Sequence, residues 1–409
     1  MKIIRIIILW PYKFTQFDFF QLGLDLYKKK KVQIQIHELS NLFILNKFYK
    51  VWKSKSYKKK LIFKNILTWF FYIIKTPTHT IIFNMTNENH NAINSFFIKI
   101  ILSFKRFSVF IFSISEVFDE KIKKNFSYFF YKIFKEHKYD VIFYLNFLKT
   151  ITFSNLSKIV KYNKEIIFTN RNKIIEATSK GKIIRPINSF DYSNFLRTTH
   201  KENKNEKYFV YLDTGYPYFS GDYYLNKGFN HNNFINDSMI KKYMDNLIAF
   251  FNFLENKYKK KVLIVPHPKL RLLSSNRTSY SFFNDYKIFN KIDTNEAVRQ
   301  AYCVLVNFIT TSISYAVLNY KPIIFLKSKI LESIMNINQS INEKKFLTIL
   351  GVKSLSLNKG GLINKRYMTV NKKAYDQYKF KYLQNSNIDL QNKHNSDIIT
   401  TYIKNASDF

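Results

Sequence analysis

Cysteine, glycine, proline and acidic residues are all scarce in this chain of 409 residues. A single cysteine, Cys303, excludes an intramolecular disulfide framework and cysteine-rich zinc sites. Eight Gly and seven Pro exclude collagen-like and Gly/Pro-rich low-complexity classes. No apolar run approaches the ~20 residues of a membrane span. The run Ile66–Ile74 is only nine long. The opening stretch to Trp10 holds Arg5, stops at Pro11 and has no small-residue cleavage site. It reads as a buried first strand and not as a signal peptide. A cytoplasmic location is expected, at the periphery of the inner membrane.

Acid is outnumbered by base, with 28 Asp and Glu against 66 Lys and Arg, a net charge of +38. The excess does not by itself make a nucleic-acid binder. Lys, Asn, Ile, Phe and Tyr dominate, all with A/T-rich codons, and runs such as Lys28–Lys31 and Lys58–Lys60 are short. No specific nucleic-acid partner is expected. The surface favours polyanions and anionic membrane faces at low salt. Hydrophobic residues make up 46%, enough for a sizeable core.

What is present is alternation. Lys2–Leu9, Val32–Ile36, His79–Phe83, Ser108–Phe112, Asp140–Tyr144 and Glu165–Thr169 read as strands. Phe14–Lys28, Leu61–Ile74, Ala92–Phe104 and Lys121–His137 read as helices between them. The polar stretch Asn194–Lys207 reads as a linker. Beyond it, strands Tyr208–Leu212, Lys261–Val265, Tyr286–Phe289, Val304–Asn307 and Ile323–Leu326 alternate with helices Ser238–Tyr258, Thr294–Tyr302 and Ser312–Tyr320. Helix Lys372–Leu383 and an Asn-rich tail follow. The expected fold class is α/β, with two Rossmann-like doubly wound domains facing across a cleft. The expected boundaries are 1–190, 205–345 and a C-terminal extension 346–409 whose helix packs back toward the domain junction.

The P-loop, GxGxxG, HExxH and GxSxG patterns are all missing. So is any pair of Asp two apart, which disfavours a metal-dependent mechanism. Four of the seven Pro and three of the eight Gly fall between residues 215 and 322, so shaped loops concentrate there. Three of those loops follow expected parallel strands, where doubly wound folds bind ligands. In the first, Asp213 precedes Thr214 and Gly215; it is either a turn cap or a carboxylate able to act as a general base. In the second, Pro266 and Pro268 fix the backbone on both sides of His267, which can donate to a phosphate oxygen or act as an acid. Lys269 and Arg271 add charge. In the third, Thr310, Thr311 and Ser312 open a helix whose amides and dipole suit an anion.

This ordered set resembles bacterial GT-B glycosyltransferases. It is most similar to surface-carbohydrate biosynthesis proteins and to the sialyltransferase and Kdo-transferase groups. The resemblance covers about Tyr208 to Ser328, with a Tyr-rich helix at Tyr375, Tyr378 and Tyr382. It implies that Pro266, His267, Pro268, Lys269, Thr310, Thr311 and Ser312 hold the nucleotide of a CMP-sugar, and that Asp213 is the base. Thr214 stands where the family's short motif has a second acid. Asp222, Glu116, Asp119 and Glu120 compete for the role of base. The implied activity is metal-independent, inverting transfer of a nonulosonate such as sialic acid or Kdo to a glycan or glycolipid acceptor. No cofactor is expected beyond the nucleotide-sugar donor. A UDP-sugar or CDP-polyol donor, or a non-catalytic polysaccharide-assembly protein of the same fold, are the other readings.

Overall fold

The first expected strand forms β1 (Ile4–Trp10), and its residues Ile6 to Leu9 are all buried. Burial on both faces is what a central parallel strand requires. In this computed structural model the described residues are 4–30, 32–43, 57–86, 92–114, 141–170, 183–198, 206–215, 237–267, 282–334, 337–357, 363–385 and 387–405. Beside β1 lie β2 (Val32–Glu38) and then β3 (Leu61–Ile62) on one flank. On the other lie β4 (Ile81–Asn84), β5 (Ser108–Ser113), β6 (Lys164–Thr169) and β7 (Ile183–Pro186). All are parallel, in the order β3-β2-β1-β4-β5-β6-β7.

A second parallel sheet repeats the plan with β8 (Tyr208–Leu212), β9 (Lys261–Val265), β10 (Lys287–Ile288), β11 (Ala301–Val306), β12 (Ile323–Lys327) and β13 (Lys353–Ser356). Its order is β10-β9-β8-β11-β12-β13. In each sheet the chain winds outward from the first strand, returns, and winds out the other way. The reversal falls between β1 and β4 in the first sheet and between β8 and β11 in the second. A crevice opens at the strands' carboxyl ends at such a reversal. The two sheets match the expected fold class.

Several expected elements differ in detail. The single helix Phe14–Lys28 is two helices, Gln16–Gln21 and Leu24–Lys29, because Gly23 takes φ 61° between them. Leu61–Ile74 starts as β3, and its helix begins only at Ile66, where Asn65 and Thr68 form a reciprocal cap. The expected strand Asp140–Tyr144 is helical over its described part: Val141–Ile159 is a continuous helix. A short apolar run cannot separate the two states by periodicity. The expected helix Lys121–His137 lies outside the described residues.

The stretch read as linker is helical at its start. Helix Phe190–Thr198 buries Asp191, Tyr192, Ser193 and Asn194, polar residues that find partners on both sides. Helix Thr294–Arg299 stops short of Tyr302, which belongs to β11. Helices Lys329–Ile334 and Ile337–Leu350, and strand β13, extend the second sheet past the last expected strand.

The C-terminal segment ties the sheets together. Helix Lys372–Tyr378 continues as a π-turn, Lys379–Leu383, and puts Tyr375, Tyr378 and Leu383 into the second sheet's core. The Leu383 carbonyl accepts from the Ser189 amide at 2.8 Å, and Asn170 donates to the Tyr382 carbonyl at 2.6 Å. The Asn-rich tail is not irregular: helix Asn395–Asn405 sets Ile398, Ile399 and Ile403 into the first sheet's core beside Ile6 and Ile8. Asn188 anchors the crossing by donating to the carbonyls of Leu390, Gln391 and Lys393. Among the described residues no helix is long and apolar enough to cross a membrane.

Candidate functional site

The registers of the second sheet align the candidate loops. Leu212 of β8 sits opposite Val265 of β9 on one side and Val306 of β11 on the other. The next residues along, Asp213, Pro266 and Asn307, therefore leave the same edge on three adjacent strands. His267 follows Pro266, and Thr310 to Ser312 follow Asn307 across the reversal between β8 and β11. The sheet brings together what the sequence spreads over a hundred residues.

Asp213 is buried. Its amide extends the ladder to the Val265 carbonyl at 2.9 Å, and its Oδ1 accepts from the Gly215 amide at 2.9 Å. Gly215 has φ 79°, a left-handed conformation that glycine adopts without strain. The turn-capping role is therefore realised. It uses one of the roughly four lone-pair sites of a carboxylate. Pro266 is buried and His267 half-buried. Pro268, Lys269 and Arg271 lie outside the described residues, as do Asp222, Glu116, Asp119 and Glu120.

The hydroxyl-rich turn departs from a simple helix cap. The carbonyls of Thr310, Thr311 and Ser312 accept from the amides of Ile313, Ser314 and Tyr315 at 3.2, 2.9 and 3.2 Å. These tight i-to-i+3 bonds consume the first amides of helix Ile313–Leu318. Ser312 is itself αR, and its side chain makes no capping bond. The helical turn thus opens at Thr310, ahead of helix Ile313–Leu318, and carries the hydroxyls of Thr310, Thr311 and Ser312. Thr311 is exposed, and Thr310 and Ser312 are half-buried.

Beneath these loops lies a buried polar chain that the sequence did not reveal. Thr214 donates to Asn307 Oδ1 at 2.7 Å, and Asn307 Nδ2 donates to the Tyr243 hydroxyl at 2.8 Å. Tyr243, fully buried on helix Asp237–Tyr258, has its hydroxyl pKa pushed up by desolvation. Interior hydrogen bonds of this kind fix loop geometry because breaking one strands a buried polar group. They lock the ends of β8 and β11 together at the reversal.

Asp191 was also missed. It is fully buried on helix Phe190–Thr198 and accepts from Gln21 Nε2 at 2.7 Å. Ser314 and Tyr315, at the start of helix Ile313–Leu318, hydrogen-bond to the same carboxylate. Burial pushes its pKa up to about 6, and these hydrogen bonds oppose the rise. Asp191 thus connects the first sheet's opening helix with the helix that follows β11. Its polar neighbourhood, Asn188 to Asn194, looks like loop sequence; no periodic signal separates a buried polar junction from an exposed linker.

No family model and no curated protein matches this chain. Solved structures do. Os79 from O. sativa, in complex with UDP, is similar at TM-score 0.50 and 9% identity, over 97% of this chain and 100% of the other. The fold is GT-B. The glycosyltransferase SnogD from Streptomyces nogalater is similar at TM-score 0.47 and 7% identity, over 98% of this chain and 100% of that one. A UDP-N-acetylglucosamine 2-epimerase is similar at TM-score 0.46 and 12% identity, over 100% and 98%. At such identities the likeness speaks for the fold alone. Function must therefore be argued from the site.

Proposed function

We propose that this GT-B chain is a glycosyltransferase whose nucleotide-sugar donor is held at the carboxyl edge of β8, β9 and β11. One observation carries the reading: Asp213, His267 and the Thr310–Ser312 turn leave adjacent strands at a chain reversal. There a carboxylate, an imidazole and three hydroxyls can meet one ligand. Asp213 takes the proton of the acceptor hydroxyl. The acceptor oxygen bonds to the anomeric carbon as the bond from that carbon to the phosphate oxygen breaks. His267 and the hydroxyls of Thr310, Thr311 and Ser312 stabilise the charge arriving on the leaving phosphate, with Lys269 adding positive charge. Pro266 and Pro268 restrict the His267 backbone. Direct displacement inverts the anomeric centre.

The donor proposed is a CMP-sugar carrying a nonulosonate, and the acceptor a surface glycan or glycolipid. A monophosphate leaving group suits a site of hydroxyls and imidazole. A second reading, a UDP-sugar donor, is favoured by the UDP bound to Os79. The experiment is thermal unfolding of the full chain with CMP, CDP, UDP and GDP in turn, since a ligand bound only by the native state raises Tm. A rise with CMP supports the first reading, and a rise with UDP alone the second. No rise with any of them overturns the nucleotide site. Calorimetry on His267→Ala and Ser312→Ala then assigns it. Each is expected to weaken binding by about 1–3 kcal/mol, the loss of a charge-assisted hydrogen bond.

A further inference from the structure

Three helices cover one face of the first sheet: Ile66–Ile74, Ala92–Phe104 and Val141–Ile159. They form one layer. Phe96 packs edge-on against Phe153 at 5.5 Å, Lys99 Nζ donates to the Ser157 carbonyl at 2.6 Å, and Lys105 Nζ donates to the Ile74 carbonyl at 2.7 Å. The inward residues, Trp69, Ile73, Ile98 and Leu102, are buried against β1, β4 and β5. The outward residues are apolar as well. Leu67, Phe71 and Ile74 recur at helical spacing on the first helix, and Phe97, Ile100 and Phe104 on the second. Phe71 is 63% exposed, Phe104 80% and Ile159, on the third helix, 75%. A helix apolar on both faces has a neighbour on both.

The charge around this face identifies the neighbour. Residues 39–87, 89–115 and 141–164 contain no Asp or Glu at all. The exposed ionic residues of these helices and their ends are bases: Lys64, Lys75, Arg106, Lys149, Lys158 and Lys161. A second copy of the chain would bring the same bases to the same place. An anionic bilayer offers the complement, an acyl boundary for Phe71, Phe104 and Ile159 and phosphate headgroups for the bases. We infer that this three-helix face docks on an anionic membrane surface, on the side of the first sheet opposite helix Asn395–Asn405. The inference is independent of the proposed transferase activity and is tested without nucleotide.

The test is co-sedimentation of the full chain with phosphatidylcholine vesicles and with vesicles of phosphatidylcholine and phosphatidylglycerol. Binding is expected on the anionic vesicles and should fall as salt rises, since exposed charges are screened beyond about 8 Å at physiological ionic strength. The double variant Phe71→Asn, Phe104→Asn should lower the bound fraction at least about tenfold, given the apolar burial each ring provides. Phe380→Asn, removing a ring 55% exposed beside the second sheet, should change nothing. The charge variant Lys75→Glu, Arg106→Glu tests the same face without touching an apolar side chain and should bind anionic vesicles several-fold less. Equal binding to both vesicle types, or unchanged binding in both face variants, overturns the inference. So does sedimentation velocity showing a dimer of the chain that the double Phe variant disperses.

Discussion

The two sheets differ in what they leave uncovered. Of the fifteen large apolar residues that stand exposed among the described residues, twelve belong to β3 and the three-helix layer of the first sheet. Only Tyr320, Phe380 and Ile388 lie outside it. The second sheet is closed on both faces by its own helices and by Tyr375, Tyr378 and Leu383 from the C-terminal segment. The first borrows helix Asn395–Asn405 for one face and leaves the other apolar toward the outside. The same doubly wound plan therefore yields a self-contained half carrying the candidate chemistry and a half that is apolar outside as well as inside. Folding requires only the inner apolar face, so the outer one calls for a separate cause.

The largest effect that would sharpen this division of labour is on turnover. Asp213→Asn keeps size and removes basicity. It should lower kcat by a factor of about 10²–10⁴, the range for general acid–base catalysis, with nucleotide affinity little changed. Near-normal turnover would move the base to Asp222 or to the acids of the first half.

Next comes the buried ion pair of Glu38 and Lys60 at the carboxyl end of β2. Their side chains are 2% and 4% exposed, and Glu38 also accepts from the Phe14 amide at 2.7 Å and from Ser40 Oγ at 2.9 Å. Glu38→Ala strands the ammonium and two further donors. It should cost about 3–5 kcal/mol in denaturant unfolding. If the loss spreads equally through both sheets in hydrogen exchange, the halves fold as one unit and the comparison fails.

A smaller effect is expected at Gly23. It holds φ 61°, and a Cβ there would sit 2.5 Å from His394 Cε1 on the C-terminal segment. Gly23→Ala should cost about 1–3 kcal/mol, the usual strain of such a backbone in a residue with a side chain. Amides of Asn395–Asn405 should exchange faster, while those of β8 to β13 stay protected.

The mildest effect is on pH. Burial holds His37 neutral, its pKa lowered to about 3, and His394 likewise at about 4. Unfolded, each titrates near 6.5, so both contribute stability above that pH that is lost as pH falls toward 4 and 3. Asp191 runs the other way. Its raised pKa means that stability falls as pH climbs from about 4 to about 6. Melting curves across pH 3 to 7 should show His37→Gln flattening the acid limb and Asp191→Asn gaining relative to the parent at neutral pH. Identical pH profiles for parent and variants would remove these groups from the account.

The strands were legible because parallel strands are buried on both faces and read as β-branched runs; β1, β8, β9 and β12 stand almost where alternation predicts them. The candidate loops were legible because Pro and Gly are rare enough to mark shaped backbone. Asn307, Tyr243 and Asp191 were not. Each is polar for a partner more than sixty residues away, and nothing in its neighbours' spacing announces that partner.

What the sequence by itself determined is the alternation of buried strand and helix, hence a doubly wound α/β chain, and the charge that excludes acid from three helices. Those follow from local pattern and composition. Only the tertiary structure decided that the tail crosses back onto β1's sheet, that Asp191 to Asn194, at the start of the apparent linker, form a buried junction, and that Asp213, His267 and Ser312 share an edge. Strand order and register are long-range pairings, chosen by which faces can be buried together, and no local pattern of residues encodes them.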